Sequence, residues 1–206
     1  MYARSNTLSG NPAAVDQAIA YIRDEVMPLV QGMDGCIGLS MLADRDSGRC
    51  IVTTAWESEE AMHASEAGVR DSRARAGEVV GDKPQVAEWE IAILHRTRET
   101  GSGARTRVIW SDTDPGRTDD MVDRFRTTML SRVEELPGFC NMSMLVNRDT
   151  NRCALAVTYT DRAAMASADE RAAALRGEAD QQVGMHITEV AEFDLALAHL
   201  RVPETV

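Results

Sequence analysis

Residues 35–62 read GCIGLSMLADRDSGRCIVTTAWESEEAM, and 103 positions later residues 138–165 read GFCNMSMLVNRDTNRCALAVTYTDRAAM. These 28 aligned positions contain 10 identities and no gap, where average residue usage would give about two. The same offset, increased by one inserted residue, pairs Trp89 with Phe193 near the ends of the two copies. The chain of 206 residues is therefore predicted to consist of two copies of one module.

A short polar stretch separates the two copies. It contains Glu99-Thr100-Gly101-Ser102-Gly103, a composition typical of flexible linkers. We therefore predict a first module over residues 1–97, a linker over 98–104 and a second module over 105–206.

The first half of each module reads as a strand followed by an amphipathic helix. In the first copy a strand is predicted over residues 2–8, after which Asn11 offers a cap and Pro12 takes the first helical position. Pro28 is predicted to kink or end this helix near its last turn. In the second copy Asp114 is the expected cap.

A β-hairpin follows, with two alternating apolar strands joined by a five-residue turn. Gly48 near the end of this turn is replaced by Asn151 in the second copy. Glycine and asparagine tolerate a left-handed backbone better than other residues do. A positive φ is therefore predicted at both positions.

The second half of each module reads as a helix and a last strand. Ser58 in the first copy and Asp161 in the second are placed to cap this helix, which is predicted to run to about Gly77 in the first copy. A last strand is predicted over residues 86–95. The order strand, helix, hairpin, helix, strand is that of a ferredoxin-like α+β module, which leaves one sheet face without helices.

Two such modules in tandem resemble the dimeric α/β-barrel superfamily, in particular antibiotic-biosynthesis-monooxygenase (ABM)-like domains. The resemblance is carried by Leu136-Pro137-Gly138-Phe139 before the second hairpin and by residues 52–62, VTTAWESEEAM. It implies an α+β fold of two tandem ferredoxin-like βαββαβ modules packed sheet to sheet as an intramolecular dimeric α/β barrel. Relatives include cofactor-independent oxygenases of polyketide quinones, haem-degrading enzymes and proteins of other roles, so the fold alone does not decide the function.

Composition and charge exclude several classes of partner. The formal charge of −11 comes from 33 acidic and 22 basic residues, and such a surface repels nucleic acid and anionic lipid. The start of the chain shows neither a signal peptide nor a membrane-spanning run. We therefore expect a cytoplasmic protein, with a monomer favoured over a homodimer because each open sheet already has a mate.

The cysteines do not indicate a metal or redox site. Cys36, Cys50, Cys140 and Cys153 show no C-x-x-C spacing, and the chain has only four histidines. We expect buried small apolar residues there, no metal and no cofactor.

A cofactor-free oxygenase needs an apolar pocket, a base and a donor to a forming anion. The candidate pocket residues are Asn6, Trp56, His63, Trp89, His95, Trp110, Tyr159 and His199, with His186 as a further polar group. Each has a structural alternative: the aromatic residues fill the core, and the histidines are solvated. The duplicated Arg45-Asp46 and Arg148-Asp149 pairs are read as local salt bridges of the hairpin turn.

Two functions remain open at this point. The first is small-molecule binding, with cofactor-independent monooxygenase-like activity on an apolar aromatic substrate in a pocket between a sheet and its own helices. The second is a non-catalytic structural or regulatory module with filled pockets, which predicts no polar constellation kept in both copies. A haem-binding or haem-degrading protein is more remote, because the tryptophan and histidine that the resemblance calls for fall near Ser65 and Ala74.

Overall fold

The computed structural model describes residues 1–200 and 203–205. By internal contacts the chain divides into two compact units. The first unit comprises Met1–Glu90 and the stretch that begins at Asp194, and the second comprises Ile91–Phe193 and residues 203–205. The predicted module boundary at residues 98–104 concerns the sequence repeat, and it stays a prediction.

The first copy contains four strands and a set of helices in the predicted order. Its strands are β1 (Tyr2–Ser9), β2 (Cys36–Asp44), β3 (Arg49–Trp56) and β4 (Gln85–Arg96). Its helices are a 3₁₀ turn (Pro12–Ala14), α1 (Val15–Tyr21), a π-helical turn (Ile22–Val26), α2 (Met27–Gln31), α3 (Glu59–Ala64) and α4 (Glu66–Val80).

The second copy repeats this order. Its strands are β5 (Arg105–Asp112), β6 (Phe139–Asn147), β7 (Arg152–Tyr159) and β8 (His186–Leu200). Its helices are α5 (Thr118–Arg124), a π-helical turn (Phe125–Met129), α6 (Leu130–Glu134), α7 (Arg162–Ser167), α8 (Asp169–Glu178) and a second π-helical turn (Ala179–Val183).

Strand pairing follows the repeat residue by residue. The β1–β3 pair runs from Tyr2 opposite Trp56, and the β5–β7 pair runs from Arg105 opposite Tyr159. The strand order is β4-β1-β3-β2-β8 in the first unit and β8-β5-β7-β6-β4 in the second. This is the order of an antiparallel eight-stranded barrel, and the predicted α+β fold class of two ferredoxin-like repeats is confirmed.

The local signals that placed the elements are confirmed at the hairpin turns and helix starts. Gly48 has φ 76° and Asn151 has φ 55°. The Ser58 Oγ accepts a hydrogen bond from the Ala61 N–H at 3.1 Å. The Asp161 carboxylate performs the same role in the second copy. These side chains satisfy backbone donors that a helix start leaves free.

The first helix of each copy departs from the prediction. The expected cap Asp114 is wrong, because a turn at Pro115 and Gly116, with φ 75° at the glycine, delays the helix until Thr118. Pro28 lies in the last turn of its helix, which ends at Gln31, but an unpredicted π-helical turn at Ile22–Val26 precedes it. The same turn occurs in the second copy with Ser131 at the equivalent position, so the proline alone does not cause it.

The second helix of the first copy is longer than predicted and is broken. It runs past Gly77 to Val80, and the chain leaves it through Gly81 at φ 79°. The break lies at Ser65, between α3 and α4. The hydroxyl of this serine accepts a hydrogen bond from Arg4.

The duplicated arginine of each hairpin turn bonds a carboxylate outside the turn, which the expectation of a local salt bridge did not include. Arg45 bonds Asp16 at 2.9 Å and Asp194 at 2.9 Å. In the second copy Arg148 bonds Asp119 at 2.5 Å. The pairs with Asp16 and Asp119 join each hairpin turn to the first helix of the same copy, which explains why both of their partners are duplicated.

Each unit has its own apolar core between strands and helices. In the first unit the stripe Val15, Ala18, Ile22, Val26 and Val30 is buried against β2 and β3. In the second unit the equivalent helix buries larger side chains, because Phe125 and Met129 stand where the first unit has Ile22 and Val26. Within residues 1–200 and 203–205, no helix has the length and apolar character needed to cross a membrane.

Candidate functional site

The first unit contains a cavity between its sheet and its own helices. The apolar wall comes from Leu8, Ile22, Val26, Val30 and Val52. The cavity has a volume of about 40 Å³. The helix stripe that forms the core therefore also forms one wall of the cavity.

The second unit contains a cavity at the equivalent positions, also of about 40 Å³. Phe125, Met129, Val133 and Leu155 stand where the first unit has Ile22, Val26, Val30 and Val52. Tyr159 also lines this cavity. The repeat has thus kept the position of the cavity while its wall has changed in size and flexibility.

A buried arginine lines the first cavity and organises a polar network. The side chain of Arg4 is 3% exposed and bonds Glu88 at 2.8 Å. It also donates to the Ser65 Oγ at 3.0 Å and to the Met62 carbonyl at 2.9 Å. Glu66 lies 3.4 Å from it. A guanidinium has five N–H donors, and these partners account for its donors on all three nitrogens.

Two further side chains, Arg73 and His63, complete this network. Arg73 lines the cavity and holds Glu66 through two hydrogen bonds of 2.9 and 2.8 Å. The His63 Nε2 lies 3.1 Å from the Glu88 carboxylate. Burial acts to raise the pKa of Glu88, but hydrogen bonds from Arg4 and His63 outweigh it and hold that pKa below its usual value.

The second cavity has the same arginine. The side chain of Arg107 is 4% exposed and bonds Glu192 at 2.6 Å, and it also bonds Asp169. Burial acts to lower the pKa of Arg107, but these two carboxylates outweigh it and hold the pKa above its usual value. Arg176 lines the cavity where Arg73 does in the first unit.

The expectation that no polar constellation is kept in both copies is therefore wrong. Arg4, Arg73, Glu66 and Glu88 of the first unit correspond to Arg107, Arg176, Asp169 and Glu192 of the second. The sequence carries the signal, because the offset of 103 aligns both arginines and the acidic residue of the helix. Glu88 and Glu192 align after the one inserted residue.

The structure places two of the predicted pocket residues on cavity walls. Asn6 lines the first cavity, and its buried Oδ1 has no hydrogen-bond partner. Tyr159 lines the second and packs against the Arg107 guanidinium, 5.8 Å from the ring centroid. Burial raises the pKa of Tyr159, and the nearby charges of Arg107 and Arg176 act against this.

Three tryptophans on the candidate list lie outside the sets of residues that line the two cavities. Trp56 is fully buried and donates to the Thr54 hydroxyl at 3.0 Å. Trp89 is buried and donates to the Ser5 hydroxyl at 2.9 Å. Trp110 packs edge to face on Phe193, with ring centroids 6.4 Å apart. These contacts fit the core alternative for the tryptophans.

The histidines are dispersed. His95 stacks on Phe139 and lies 3.3 Å from Glu134. The exposed His186 lies 3.2 Å from Asp180, which holds the pKa of this histidine above its usual value. His199 is half-buried in β8, opposite Leu39. Of these residues only His63, through Glu88, connects to a group that lines a cavity.

The residues present do not fit a haem. Neither cavity has a histidine or a cysteine among its lining residues, and Ala74, where the resemblance calls for a histidine ligand, is exposed. Among the residues that the structure describes, no group of three or more histidine, cysteine, aspartate or glutamate side chains is placed to hold a metal ion.

Comparison with known proteins agrees with the fold. The family model for antibiotic biosynthesis monooxygenase matches residues 1–70. The chain is 43% identical to "Uncharacterized protein Rv2557" of Mycobacterium tuberculosis over 206 residues, which cover 100% of this chain and 92% of that protein. This match includes both modules.

Solved structures extend the likeness over nearly the whole chain. An anthrone oxidase-like protein superposes with a TM-score of 0.67 at 13% identity, covering 97% of this chain and 93% of that one. A heme-degrading enzyme from Listeria monocytogenes gives a TM-score of 0.55 at 10% identity, with coverages of 94% and 99%. Identities this low show a shared fold and no more. With the family model, the full-length relative and the barrel strand order in agreement, the chain belongs to the antibiotic biosynthesis monooxygenase family, as a tandem duplication of the domain.

Proposed function

We propose that the chain binds a small apolar aromatic molecule in the cavities between each sheet and its own helices, and that it acts on this molecule as a cofactor-independent monooxygenase. The observation that carries the proposal is the pair of apolar cavities at equivalent positions of the repeat, each edged by a buried arginine network. Apolar walls with a few convergent polar groups are typical of ligand sites.

The polar groups of the first cavity suit the chemistry of such a reaction. An electron-rich substrate supplies the electrons, so one atom of O₂ enters the product and the other leaves as water. The protein must then orient the substrate and accept its proton. The Oδ1 of Asn6 offers an unused acceptor, and the Nε of Arg73 offers an unused donor. His63, which is linked to Arg4 through Glu88, is the candidate base.

A thermal-shift screen tests the binding proposal. A ligand that binds only the native state raises the melting temperature by mass action. We expect anthrone or a naphthohydroquinone to raise it, and haem and flavins to leave it unchanged. A shift with haem and a Soret change would instead favour the haem alternative, and the absence of any shift would refute the binding proposal.

Oxygen uptake then tests catalysis. With a ligand that shifts the melting temperature, we expect uptake of O₂ above that of the ligand alone, and less uptake with His63→Ala. Binding without added uptake would contradict the monooxygenase proposal and favour a non-catalytic member of the family. One observation supports that second candidate: each cavity of about 40 Å³ is small, and an aromatic ring enters only if wall side chains move.

The site of action and assembly are part of the proposal. We propose a cytoplasmic monomer without nucleic-acid or membrane partners, on the basis of the formal charge of −11 and the tandem duplication. Light scattering at micromolar concentration tests the assembly, and a dimer mass would contradict it.

A further inference from the structure

Two substitutions between the copies change how the arginines of the cavities are satisfied. The hydroxyl of Ser65, which accepts from Arg4 in the first unit, is absent from Ala168 at the equivalent position. Glu66, which bonds Arg73 and lies 3.4 Å from Arg4, corresponds to Asp169, whose side chain is one methylene shorter. The second cavity therefore has fewer acceptors for the same two guanidinium groups.

Arg107 is left with an unused donor as a result. Its Nε and Nη2 bond Glu192, and Nη2 also bonds Asp169. Its Nη1 is buried and has no hydrogen-bond partner, and the residue as a whole is only 3% exposed to solvent. The equivalent nitrogen of Arg4 donates to Ser65.

Arg176 is in the same situation. Its Nη1 is buried without a hydrogen-bond partner. Asp169, which bonds Arg107, does not extend to Arg176 as Glu66 does to Arg73. Burial lowers the pKa of Arg176, and the neighbouring positive charge of Arg107 acts in the same direction, while the charges of Asp169 and Glu192 only partly offset them. An anion beside the two groups would relieve both effects.

Unpaired buried donors on charged groups are costly, and a carboxylate is the acceptor that guanidinium groups match best. Both nitrogens belong to residues that line one cavity, whose other walls include Phe125, Met129 and Met185. Methionine side chains move easily, so these walls can widen around an aromatic ring. We propose that the cavity of the second module binds an aromatic monocarboxylate, with its carboxylate on Arg107 and Arg176 and its ring among the apolar walls.

The inference rests on the proposed function, because it assigns a ligand class to one of the same two cavities. It also predicts asymmetry between the copies. In the first module the donors of Arg4 are used by Ser65, Met62 and Glu88, and both terminal nitrogens of Arg73 hold Glu66, so that only the Nε of Arg73 lacks a partner. We therefore expect one carboxylate per chain. The net charge of −11 disfavours nonspecific binding of anions elsewhere on the surface.

Isothermal titration calorimetry of the full chain at pH 7 tests the inference, with 2-naphthoate as the probe and the neutral 2-naphthamide as its matched control. We expect one 2-naphthoate per chain, bound at least tenfold more tightly than the amide. Ala168→Ser supplies Arg107 with the acceptor that the first module has, and Arg176→Gln removes one charge. Each variant is expected to weaken 2-naphthoate by about tenfold to a hundredfold, the usual range for a charge-assisted hydrogen bond.

Arg73→Gln is the matched control in the first module, and it is expected to change 2-naphthoate affinity by less than twofold. Melting curves check that each variant is folded, and Ala168→Ser uses a residue that the first module accommodates at this position. Equal affinity for acid and amide would overturn the inference and leave the proposed function standing. A preference for the acid that survives both Ala168→Ser and Arg176→Gln would also overturn it. If neither probe binds, and the neutral ligands of the thermal-shift screen fail as well, both proposals fall.

Discussion

Exchanging Gly48 and Asn151 between the hairpin turns should destabilise the first copy much more than the second. Both residues have a positive φ, and both occupy the same place in the repeat. From backbone conformation alone the exchange would be mild in either direction, because asparagine tolerates this region. The packing around Gly48 makes the difference.

A side chain at position 48 meets the backbone of the strand–helix junction. A Cβ added to Gly48 would lie 2.2 Å from the Gly10 carbonyl oxygen and 2.9 Å from the Pro12 nitrogen. The Gly10 N–H also donates to the Gly48 carbonyl at 3.2 Å. Gly48→Asn must displace this junction, since backbone atoms cannot rotate away as a side chain does.

The expected cost adds two contributions. A left-handed backbone costs a non-glycine residue about 1 kcal/mol, and loss of the junction hydrogen bond with displacement of the backbone costs about 1–3 kcal/mol. We therefore expect Gly48→Asn to lower the free energy of unfolding by about 2–4 kcal/mol. For Asn151→Gly, relief of the positive φ offsets the greater entropy of glycine, and the change should stay within about 1 kcal/mol.

Urea denaturation of both variants at pH 7 measures the two free energies, provided that the m-values match the unmodified protein. A loss below about 0.5 kcal/mol for Gly48→Asn would refute the argument, because the clash would then have been absorbed without cost. A large loss for Asn151→Gly would show that the asparagine side chain supports its turn through a contact that the backbone conformation does not explain.

Two further predictions concern the helix caps and the cysteines. Ser58→Ala should cost about 1 kcal/mol at pH 7 and less at low pH, because the Ser58 hydroxyl also acts to lower the pKa of Glu60. The pKa of Asp161 is held below its usual value by the Ala164 backbone N–H. The Asp161 carboxylate therefore stabilises the protein at pH values above the pKa of the unfolded state, and this stabilisation is lost as the pH falls through the pKa of the folded state. Urea denaturation of Ser58→Ala and Asp161→Ala between pH 3 and 8 measures both costs. Burial raises the pKa of Cys50 to about 11 and that of Cys153 to about 12. Mass spectrometry should therefore show that iodoacetamide at pH 8 labels Cys36 first. Equal labelling of Cys36, Cys50 and Cys153 would contradict the burial of Cys50 and Cys153.

The fold could be predicted because its signals are local and duplicated. The Ser58 and Asp161 caps and the positive φ at Gly48 and Asn151 depend on neighbouring residues. Because each signal occurs at equivalent positions of both copies, a chance match does not explain it. The start of α5 at Thr118 was missed because Pro115 reads equally well as a first helical residue or as part of a turn.

The polar network of the site was harder to predict because its partners are distant in sequence. Arg4 and Glu88 are 84 positions apart, and Glu88 alternates with the apolar Ala87 and Trp89 on its strand. Such a pattern usually marks a solvent-facing side chain. Comparing charged positions between the copies, and not only apolar ones, would have shown that both arginines and both acids recur. The loss of the Ser65 hydroxyl at Ala168 gains meaning only when the contact to Arg4 is known.

Filling both cavities tests the central claim most directly. Ala76 lines the first cavity and Ala179 lines the second, and both are buried. The exposed Ala74 and Ala173 serve as controls: Ala74 lies on the same helix as Ala76, and Ala173 lies on α8, which precedes the π-helical turn of Ala179. We predict that anthrone raises the melting temperature of the unmodified protein and of Ala74→Leu/Ala173→Leu, and has no effect on Ala76→Leu/Ala179→Leu, provided that this last variant melts cooperatively. An undiminished shift in the filled variant would contradict binding in these cavities.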